Sequence, residues 1–257
     1  MTMLQVRGLT RVFGGLTALD DVSFDVHPGS IKAIIGPNGA GKSTLFNCVS
    51  RFDRATAGTV AFDGADVSRA RPSSLVRAGM ARTFQNTQLF DDVSALENVL
   101  TGAFAVTSTG MLAAALRLPR ALREERLARQ EALRLLRMGG LERHAETGAG
   151  DLPHGLRRLL EIARALASKP RLLLLDEPAA GLNASETAEF AQALYRIRDE
   201  GATVVVVEHD MGLVMEVSDE IVVLDRGVKI AEGPPRLVQK APAVIEAYLG
   251  QEPRDDD

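Results

Sequence analysis

The chain has 257 residues, of which 46% are hydrophobic and 25% are charged, a composition typical of a soluble globular protein with one large or two modest domains. Its 30 basic and 34 acidic residues give a formal net charge of −4. Since no strongly basic block occurs, the sequence does not predict binding to nucleic acid by bulk electrostatics.

The single cysteine, Cys48, cannot form an internal disulfide, and the first ten residues lack a cationic and then apolar leader. We therefore expect the reducing cytoplasm, with a reactive thiol at Cys48 as an alternative. The segment from Thr101 to Leu116 imitates a membrane span, but it carries four hydroxyl side chains and two glycines. It is also shorter than the about 20 mostly apolar residues that a span needs, so we do not predict one.

Short runs of apolar, largely β-branched residues predict strands at 31–35, 171–176, 202–208 and 220–225. Their continuous apolar character indicates burial on both faces, as in a parallel sheet covered by helices. Two earlier runs, LQVRGLTRVF and DDVSFDV, alternate more between apolar and polar residues, which predicts an antiparallel β edge. The fold class is therefore α/β.

From Asn86 to Ala167 the pattern changes, because no convincing strand occurs. The charged stretch PRALREERLARQEALRLLRM has leucines at roughly helical spacing, which are Leu122, Leu127, Leu133 and Leu136. We predict a helical subdomain at 86–167, inserted into one discontinuous core formed by 1–85 and 168–257. The final segment, QEPRDDD, is predicted to be a solvated end without regular structure.

The stretch GPNGAGKST follows the first buried strand, precedes an apolar-periodic segment, and satisfies G-x-x-x-x-G-K-[ST]. Its glycines let successive backbone N–H groups point at phosphate oxygens beside a helix N-terminus. Lys42 is predicted to reach the β and γ phosphates and Ser43 to reach Mg²⁺. The alternative is a plain glycine-rich turn. The predicted nucleotide-binding residues of this loop are Gly36, Asn38, Gly39, Gly41, Lys42, Ser43 and Thr44.

The stretch RLLLLDEP supplies the carboxylates. Asp176 ends an apolar strand, where it can orient Mg²⁺ through water, and Glu177 beside it can polarise an attacking water. A hydrophobic run followed by Asp-Glu is weak evidence alone. It becomes strong after a phosphate loop, because ligands of open α/β sheets bind at the ends of the strands.

The order GPNGAGKST, ARTFQN, LPHGLRRLLEIARAL, LLLLDEP, AAGLN and VVEHD resembles the ATP-binding subunits of ABC transporters across nearly the whole chain. The resemblance implies a P-loop (RecA-like) core with a mostly parallel sheet, an antiparallel β subdomain and an inserted α-helical subdomain. It also implies ATP and Mg²⁺ as ligands, and dimerisation around two ATP molecules.

The same resemblance assigns further roles. Gln85 would link Mg²⁺ to the helical subdomain, Glu177 would be the catalytic base, and residues 179–183 would form the D-loop. His209 would contact the γ phosphate, with a buried structural histidine as the alternative. Phe13 would stack on adenine, with a core phenylalanine on an edge strand as the alternative.

Several longer stretches resemble the branched-chain amino acid importer ATPases more closely. They are GMARTFQNTQLFDDVSALENVL, EIARALASKPRLLLLDEPAAGLN, VVVEHDMGLVMEVSD and the ending PAVIEAYLG. This resemblance implies a subunit at the cytoplasmic face of the membrane that drives permease subunits docked on its helical insertion. The implied partners are a second ATP-binding subunit and, indirectly, a periplasmic or extracellular substrate-binding protein, and nucleic acid is not among them.

One motif departs from the family. Where LSGGQ is usual, residues 152–156 read LPHGL, so Pro153 removes a hydroxyl and an N–H donor and Leu156 removes an amide. His154 and Gly155 still offer backbone N–H groups at a helix start. A donor lost from a charged acceptor costs about 1.5–3 kcal/mol, and in this family that loss falls on the nucleotide of the opposite subunit.

These departures favour an asymmetric heterodimer, in which this chain pairs with a different ATPase that carries an intact signature. The alternative is that the changes are neutral drift at a tolerant position. Asn183, where many D-loops have Asp, is a milder departure. The helix after the signature is expected to pack through Leu159 and Ile162, while Arg157 and Arg158 form a solvated basic turn, with contact to phosphate as the alternative.

Three rival functions stay open at this stage. A regulatory subunit that binds ATP with little hydrolysis would explain the altered signature. A soluble ABC protein acting on ribosomes or DNA normally has two fused cassettes or long coiled coils. A P-loop kinase would leave His209 and the AAGLN stretch unexplained.

Overall fold

The computed structural model of the protein describes residues 2–84, 88–104 and 119–249. Ten strands lie among these residues: β1 (Leu4–Phe13), β2 (Leu16–Val26), β3 (Ile31–Ile35), β4 (Ala57–Phe62), β5 (Ala65–Asp66), β6 (Met80–Arg82), β7 (Leu172–Asp176), β8 (Thr203–Val207), β9 (Glu220–Asp225) and β10 (Val228–Gly233). The α-helices described are α1 (Lys42–Val49), α2 (Pro72–Ala78), α3 (Ala95–Ala103), α4 (Pro119–Met138), α5 (His154–Leu166), α6 (Ala184–Asp199), α7 (Met211–Val217), α8 (Pro235–Val238) and α9 (Pro242–Leu249).

The larger sheet has six strands in the order β10-β9-β3-β8-β7-β6. All neighbouring pairs are parallel except β10 with β9, which is antiparallel. Its central strands are the four apolar runs of the sequence, and every residue of β3, β7 and β8 is buried. The prediction of a mostly parallel sheet covered on both faces is confirmed.

The smaller sheet is antiparallel, in the order β2-β1-β4-β5. Leu4 pairs with Val26, and Val6 pairs with Phe24. These alternating apolar residues face a cluster that also takes in Leu45 and other residues of α1. The predicted antiparallel edge is therefore confirmed, and it packs on the helix that follows the phosphate loop.

The insertion is helical, as predicted. Within 88–104 and 119–167 the structure contains no strand, and α3 packs against α4 and α5. The three helices share one buried cluster with the parallel sheet, to which Val99, Leu136 and Leu160 contribute. The residue boundaries of the two domains remain a prediction.

Two features bear on membranes and on the cysteine. No helix in the described part of the chain is long and apolar enough to span a bilayer, and most of the segment from Thr101 to Leu116 lies outside the described residues.

Cys48 is buried in α1, and burial raises the pKa of its thiol to about 11. Since the thiolate is the reactive form, the alternative of a reactive Cys48 is wrong at neutral pH.

Asn183 begins α6 as its N-cap. Its side-chain Oδ1 accepts hydrogen bonds from the backbone N–H groups of Ser185 at 3.0 Å and Glu186 at 3.1 Å. Glu186 completes a capping box, because its carboxylate accepts the Asn183 N–H at 2.9 Å. Asn at this position therefore caps the helix as Asp would.

We expect Asn183→Ala to lower the free energy of unfolding by about 1 kcal/mol, because two helix N–H groups lose their acceptor. Asn183→Asp keeps the acceptor and should leave stability unchanged. Urea unfolding followed by circular dichroism measures both. Equal midpoints for wild type and Asn183→Ala would show that the cap contributes nothing.

Candidate functional site

One cavity of about 550 Å³ lies at the edge of the parallel sheet, between the phosphate loop and the β1–β2 turn. It brings together most of the predicted nucleotide-binding residues with the predicted base: Phe13, Asn38, Gly39, Gly41, Lys42, Ser43, Thr44 and Glu177. Arg226, in the turn between β9 and β10, also lines it. Arg226 was not predicted from the sequence, since a lone arginine in a turn gives no signal.

The phosphate loop is held by close backbone contacts. Gly36 has φ +153°, and a Cβ there would lie 2.1 Å from the carbonyl oxygen of Leu224. Gly41 has φ +98°, and a Cβ there would lie 2.6 Å from the carbonyl oxygen of Ala18. These two glycines are therefore needed both for the backbone conformation and for the approach of neighbouring strands.

Lys42 is the first residue of α1 and is buried. Its ammonium Nζ donates hydrogen bonds to the carbonyl oxygens of Gly36 at 2.7 Å and Pro37 at 3.0 Å. Burial lowers the pKa of Lys42, and the nearby carboxylates of Glu177 and Asp176 oppose that shift. The ammonium thus lies inside the loop, where phosphate oxygens would be its ligands.

The C-terminal helix contributes to the same loop. Val244 of α9 is buried in the core, and the backbone of Gly36 lies close enough to the Tyr248 phenol to oppose the shift that burial gives the pKa of that phenol. Burial raises the pKa of Tyr248. Tyr248 lies in the ending PAVIEAYLG, which carries part of the family resemblance. Nothing in the sequence, however, predicts that Tyr248 lies near the phosphate loop.

Asp176 is the last residue of β7, and its side chain is only 8% exposed. Its Oδ2 accepts a hydrogen bond from Nη2 of Arg82 at 2.8 Å. Burial raises the pKa of Asp176, and the Arg82 guanidinium opposes that shift. Arg82 was missed by the sequence analysis, although it ends β6 only three residues before Gln85.

Glu177 follows in a left-handed conformation with φ +45°. Its backbone N–H donates to the carbonyl oxygen of Val207 at 2.9 Å, which ties it to the end of β8. A non-glycine residue in this region is uncommon and is held there by its surroundings. The turn directs Glu177 to the cavity, whereas Asp176 stays in the strand.

His209 lies just beyond β8, and its side chain is 61% exposed. The alternative of a buried structural histidine is therefore wrong, although His209 does not line the cavity. The buried residue is its neighbour Glu208, whose carboxylate accepts the backbone N–H groups of Ala179 at 2.7 Å and His209 at 3.0 Å. Burial raises the pKa of Glu208. Glu208 thereby joins the start of the predicted D-loop to the histidine, a connection that the sequence analysis missed.

Phe13 ends β1 and is 41% exposed. The alternative of a core phenylalanine is therefore wrong. The guanidinium carbon of Arg11 lies 4.1 Å from the ring centroid, which fixes the ring by a cation–π contact. An aromatic ring that is held and exposed at the mouth of the cavity is suited to stacking on a base.

The altered signature lies at the start of α5. Pro153 is the N-cap, without a side-chain cap, and the helix begins at His154. A Cβ on Gly181 would lie 3.3 Å from Cε1 of His154, and a Cβ on Gly155 would lie 2.6 Å from Oε1 of Glu186. The signature therefore packs against the predicted D-loop and the first turn of α6, and none of its residues lines the cavity.

The expected solvated basic turn after the signature is wrong. Arg157 pairs with Asp91 at 2.7 Å and donates to the carbonyl oxygen of Ala149 at 2.8 Å. Arg158 and Glu161 are buried, and Nη1 of Arg158 lies 3.4 Å from the carbonyl oxygen of Phe84. These charges face the segment that follows β6 instead of solvent, which a helical-wheel argument cannot reveal. The predicted packing residues Leu159 and Ile162 are buried as expected.

The donor set fits Mg²⁺ bound largely by nucleotide phosphates. Ser43 and Asp176 offer the oxygen ligands that Mg²⁺ prefers, whereas the described residues contain no group of three His, Cys, Asp or Glu side chains able to hold a metal ion. Magnesium is ordinarily bound by one or two carboxylates together with phosphates and water. Gln85, the third predicted ligand, lies outside the described residues.

Comparison with known proteins agrees with this geometry. The family model described as "ABC transporter" matches residues 19–180, which include the phosphate loop, the insertion and both carboxylates. The chain belongs to the ABC transporter family. It is an ATP-binding subunit, an ATPase whose activity is coupled to transport. A second model, "Branched-chain amino acid ATP-binding cassette transporter", matches residues 228–253.

Two relatives match almost end to end. The chain is 42% identical to the high-affinity branched-chain amino acid transport ATP-binding protein BraF of Pseudomonas aeruginosa over 250 residues, covering 97% of this chain and 98% of that one. It is 39% identical to LivG of Escherichia coli, a protein with the same description, over the same shares of both chains.

Among solved structures, a nucleotide-free ATP-binding cassette from an ABC transporter is 32% identical, with a TM-score of 0.85 over 98% of this chain and 100% of that chain. The ADP conformation of the cassette MJ1267 matches with the same values. The predicted fold class and the resemblance to ABC transporter subunits are therefore confirmed.

We expect Gly36→Ala to weaken ATP binding by about tenfold or more, because overpacking costs about 1–3 kcal/mol and about 1.4 kcal/mol is tenfold. Gly15→Ala is the matched control, since a Cβ there meets nothing within 4 Å. Titration with a fluorescent ATP analogue measures both variants. Unchanged affinity in Gly36→Ala would contradict the role of this backbone contact.

Proposed function

We propose that this chain is the ATP-hydrolysing subunit of an ABC importer for branched-chain or similar amino acids. The convergence of the phosphate loop, Phe13 and Glu177 on one cavity supports ATP binding and hydrolysis. The cargo class is supported by the match of residues 228–253 and by the descriptions of BraF and LivG. Such a subunit does not itself contact the transported molecule, so its relatives are the evidence for the cargo.

In this proposal Phe13 stacks on adenine, the loop from Gly36 to Thr44 surrounds the phosphates, and Lys42 neutralises the β and γ phosphates. Bound Mg²⁺ would stabilise the charge on the transferred phosphoryl group. Ser43, Asp176 and Gln85 would hold that ion. These groups act by positioning and electrostatic stabilisation, which dominate phosphoryl transfer.

Glu177 accepts the proton of the attacking water in this scheme, and His209 contacts the γ phosphate. The exposed imidazole of His209 supports a role that is completed when the two subunits close. Glu208 would hold His209 in place for this role, since its buried carboxylate accepts hydrogen bonds from the backbone N–H groups of His209 and Ala179. Closure and reopening then follow from binding and hydrolysis of ATP.

The membrane partners are permease subunits, which place the chain at the cytoplasmic face of the membrane as a peripheral subunit. The support is a set of exposed large apolar side chains on and around the helical insertion, which are Phe90, Phe104 and Leu127. Burial of these side chains against a partner would be favourable, because removing apolar surface from water lowers the free energy. A periplasmic or extracellular substrate-binding protein would act on the permeases and reach this chain only indirectly.

The second ATP-binding subunit is proposed to differ from this one. Pro153 supplies neither a side-chain cap nor an N–H at the start of α5, so this chain completes its partner's site poorly. A partner with an intact signature would still complete the site formed by Lys42, Asp176 and Glu177. A regulatory subunit with little hydrolysis is the second candidate, and the same observation at Pro153 favours it.

We expect Glu177→Gln to lower the turnover number for ATP by about 10²–10⁴ while leaving ATP affinity unchanged, because the amide cannot accept the proton. The exposed Glu189 on α6 gives the control Glu189→Gln, which should hydrolyse ATP normally. Phosphate release and nucleotide binding are measured on the assembled transporter. Unchanged turnover in Glu177→Gln would remove Glu177 as the base, and no turnover in wild type would favour the regulatory candidate.

Detergent-solubilised co-purification of the tagged chain from its native cell tests the assembly. We expect two permeases and a second ATPase bearing an intact signature, identified by mass spectrometry. Recovery of a complex that contains only copies of this ATPase would contradict the heterodimer. Recovery of soluble partners without permeases would contradict the transporter proposal as a whole.

A further inference from the structure

Arg82 does not line the nucleotide cavity and is almost completely buried, with its side chain 8% exposed. Its Nη2 donates to Oδ2 of Asp176 at 2.8 Å. Its Nη1 donates to Oδ1 of Asn47 at 2.8 Å and to Oγ of Ser50 at 2.6 Å. One guanidinium therefore binds the end of β7 and the last part of α1 together.

The guanidinium is also confined by aromatic rings. Its carbon lies 5.6, 5.5 and 5.2 Å from the ring centroids of Phe46, Phe52 and Phe84. Phe52 and Phe84 meet edge to face at 5.2 Å. Arg has the planar fork that such stacking and branched hydrogen bonding require, and Lys does not.

The three connected elements each carry a part of the nucleotide site. α1 begins at Lys42 of the phosphate loop, β7 ends at Asp176, and β6 ends at Arg82 itself, three residues before Gln85. A buried ion pair is weak evidence for stabilisation, because desolvation offsets much of its attraction. Its position at the junction of three site-bearing elements points to orientation of the carboxylate instead.

We propose that Arg82 is a positioning residue that fixes the Asp176 carboxylate through Oδ2 and leaves Oδ1 directed to the Mg²⁺ of bound ATP. The proposal rests on the proposed function, in which Asp176 holds that ion. Residues that orient a metal ligand by hydrogen bonding contribute to metal affinity although they do not touch the metal. Arg82 also makes the geometry at Asp176 depend on the segment that leads to Gln85.

The test uses the purified full chain, a fluorescent ATP analogue and Mg²⁺ titrated from an EDTA-treated baseline. We expect Arg82→Lys to raise the Mg²⁺ concentration for half-maximal nucleotide binding by about tenfold, and Arg82→Met by up to about a hundredfold. Nucleotide affinity without metal should stay within about twofold, because Arg82 does not line the cavity. If Arg82 contributed to stability alone, its variants would have a lower thermal midpoint, but the Mg²⁺ concentration for half-maximal nucleotide binding would not rise.

Arg171→Met is the matched control. Arg171 precedes the other end of β7, pairs with Asp63 at 2.6 Å and lies 5.4 Å from the ring centroid of Phe62, but it is far more exposed. It should leave the Mg²⁺ dependence unchanged. Thermal unfolding of each variant confirms folding, and if Arg82→Met does not fold, Arg82→Lys decides the question.

An unchanged Mg²⁺ midpoint in folded Arg82→Lys would overturn the proposal, and a lowered midpoint would show that Arg82 competes with the metal. Asp176→Asn separates this proposal from the proposed function. If Asp176→Asn raises the midpoint and the Arg82 variants do not, only the inference about Arg82 fails. If Asp176→Asn also has no effect, the assignment of Asp176 as a metal ligand fails with it.

Discussion

The close approach of the phosphate loop to the backbone of neighbouring strands is the constraint on which the rest of the site depends. Gly36 touches the carbonyl of Leu224, and Gly41 touches that of Ala18, so the loop is seated between the two sheets. A Cβ at either position would overlap these backbone oxygens, so the loop or the neighbouring strand would have to shift. The parallel sheet thus positions the phosphate loop, and the antiparallel sheet positions Phe13, which would stack on the base in the proposed function.

Several charged side chains around that loop are buried, and each of them has a hydrogen-bonding partner. Lys42 is held by loop carbonyl oxygens, Asp176 by Arg82, and Glu208 by backbone N–H groups. Buried charges are costly unless they are paired, so each of these contacts fixes a geometry as well as an energy. Glu177 and His209 differ, because both follow strand ends: Glu177 lines the cavity, and the side chain of His209 is exposed.

In the proposed function, the altered signature makes the two roles of this chain unequal. Phe13, Lys42 and Glu177 line one cavity at the edge of the sheet, whereas Pro153 at the start of α5 supplies neither a side-chain cap nor an N–H. The signature is nevertheless well packed, with His154 beside Gly181 and Gly155 beside Glu186. The altered stretch is therefore compatible with the local fold, and in the proposed dimer it would change only what this chain offers to its partner, which is the physical basis for the proposed asymmetry.

The sequence by itself determined the elements whose signals are local. Apolar runs identified the buried strands, GPNGAGKST identified the phosphate loop, and the order of motifs identified the family. These features can be predicted because strand burial and glycine-dependent turns depend on residues that are neighbours in the sequence. Only the tertiary structure decided the contacts between distant segments. Arg82 with Asp176, Glu208 with Ala179 and Tyr248 with Gly36 join residues that periodicity cannot relate.

The same reason explains the one wrong expectation in the signature helix. A helical pattern shows that Arg158 lies off the apolar face, but not that another segment covers that side of α5. Burial of Arg158 and Glu161 is set by the chain that follows β6, so it depends on how the insertion docks on the sheet. Local residue pattern therefore determined which elements form, and packing between elements decided which charges they bury.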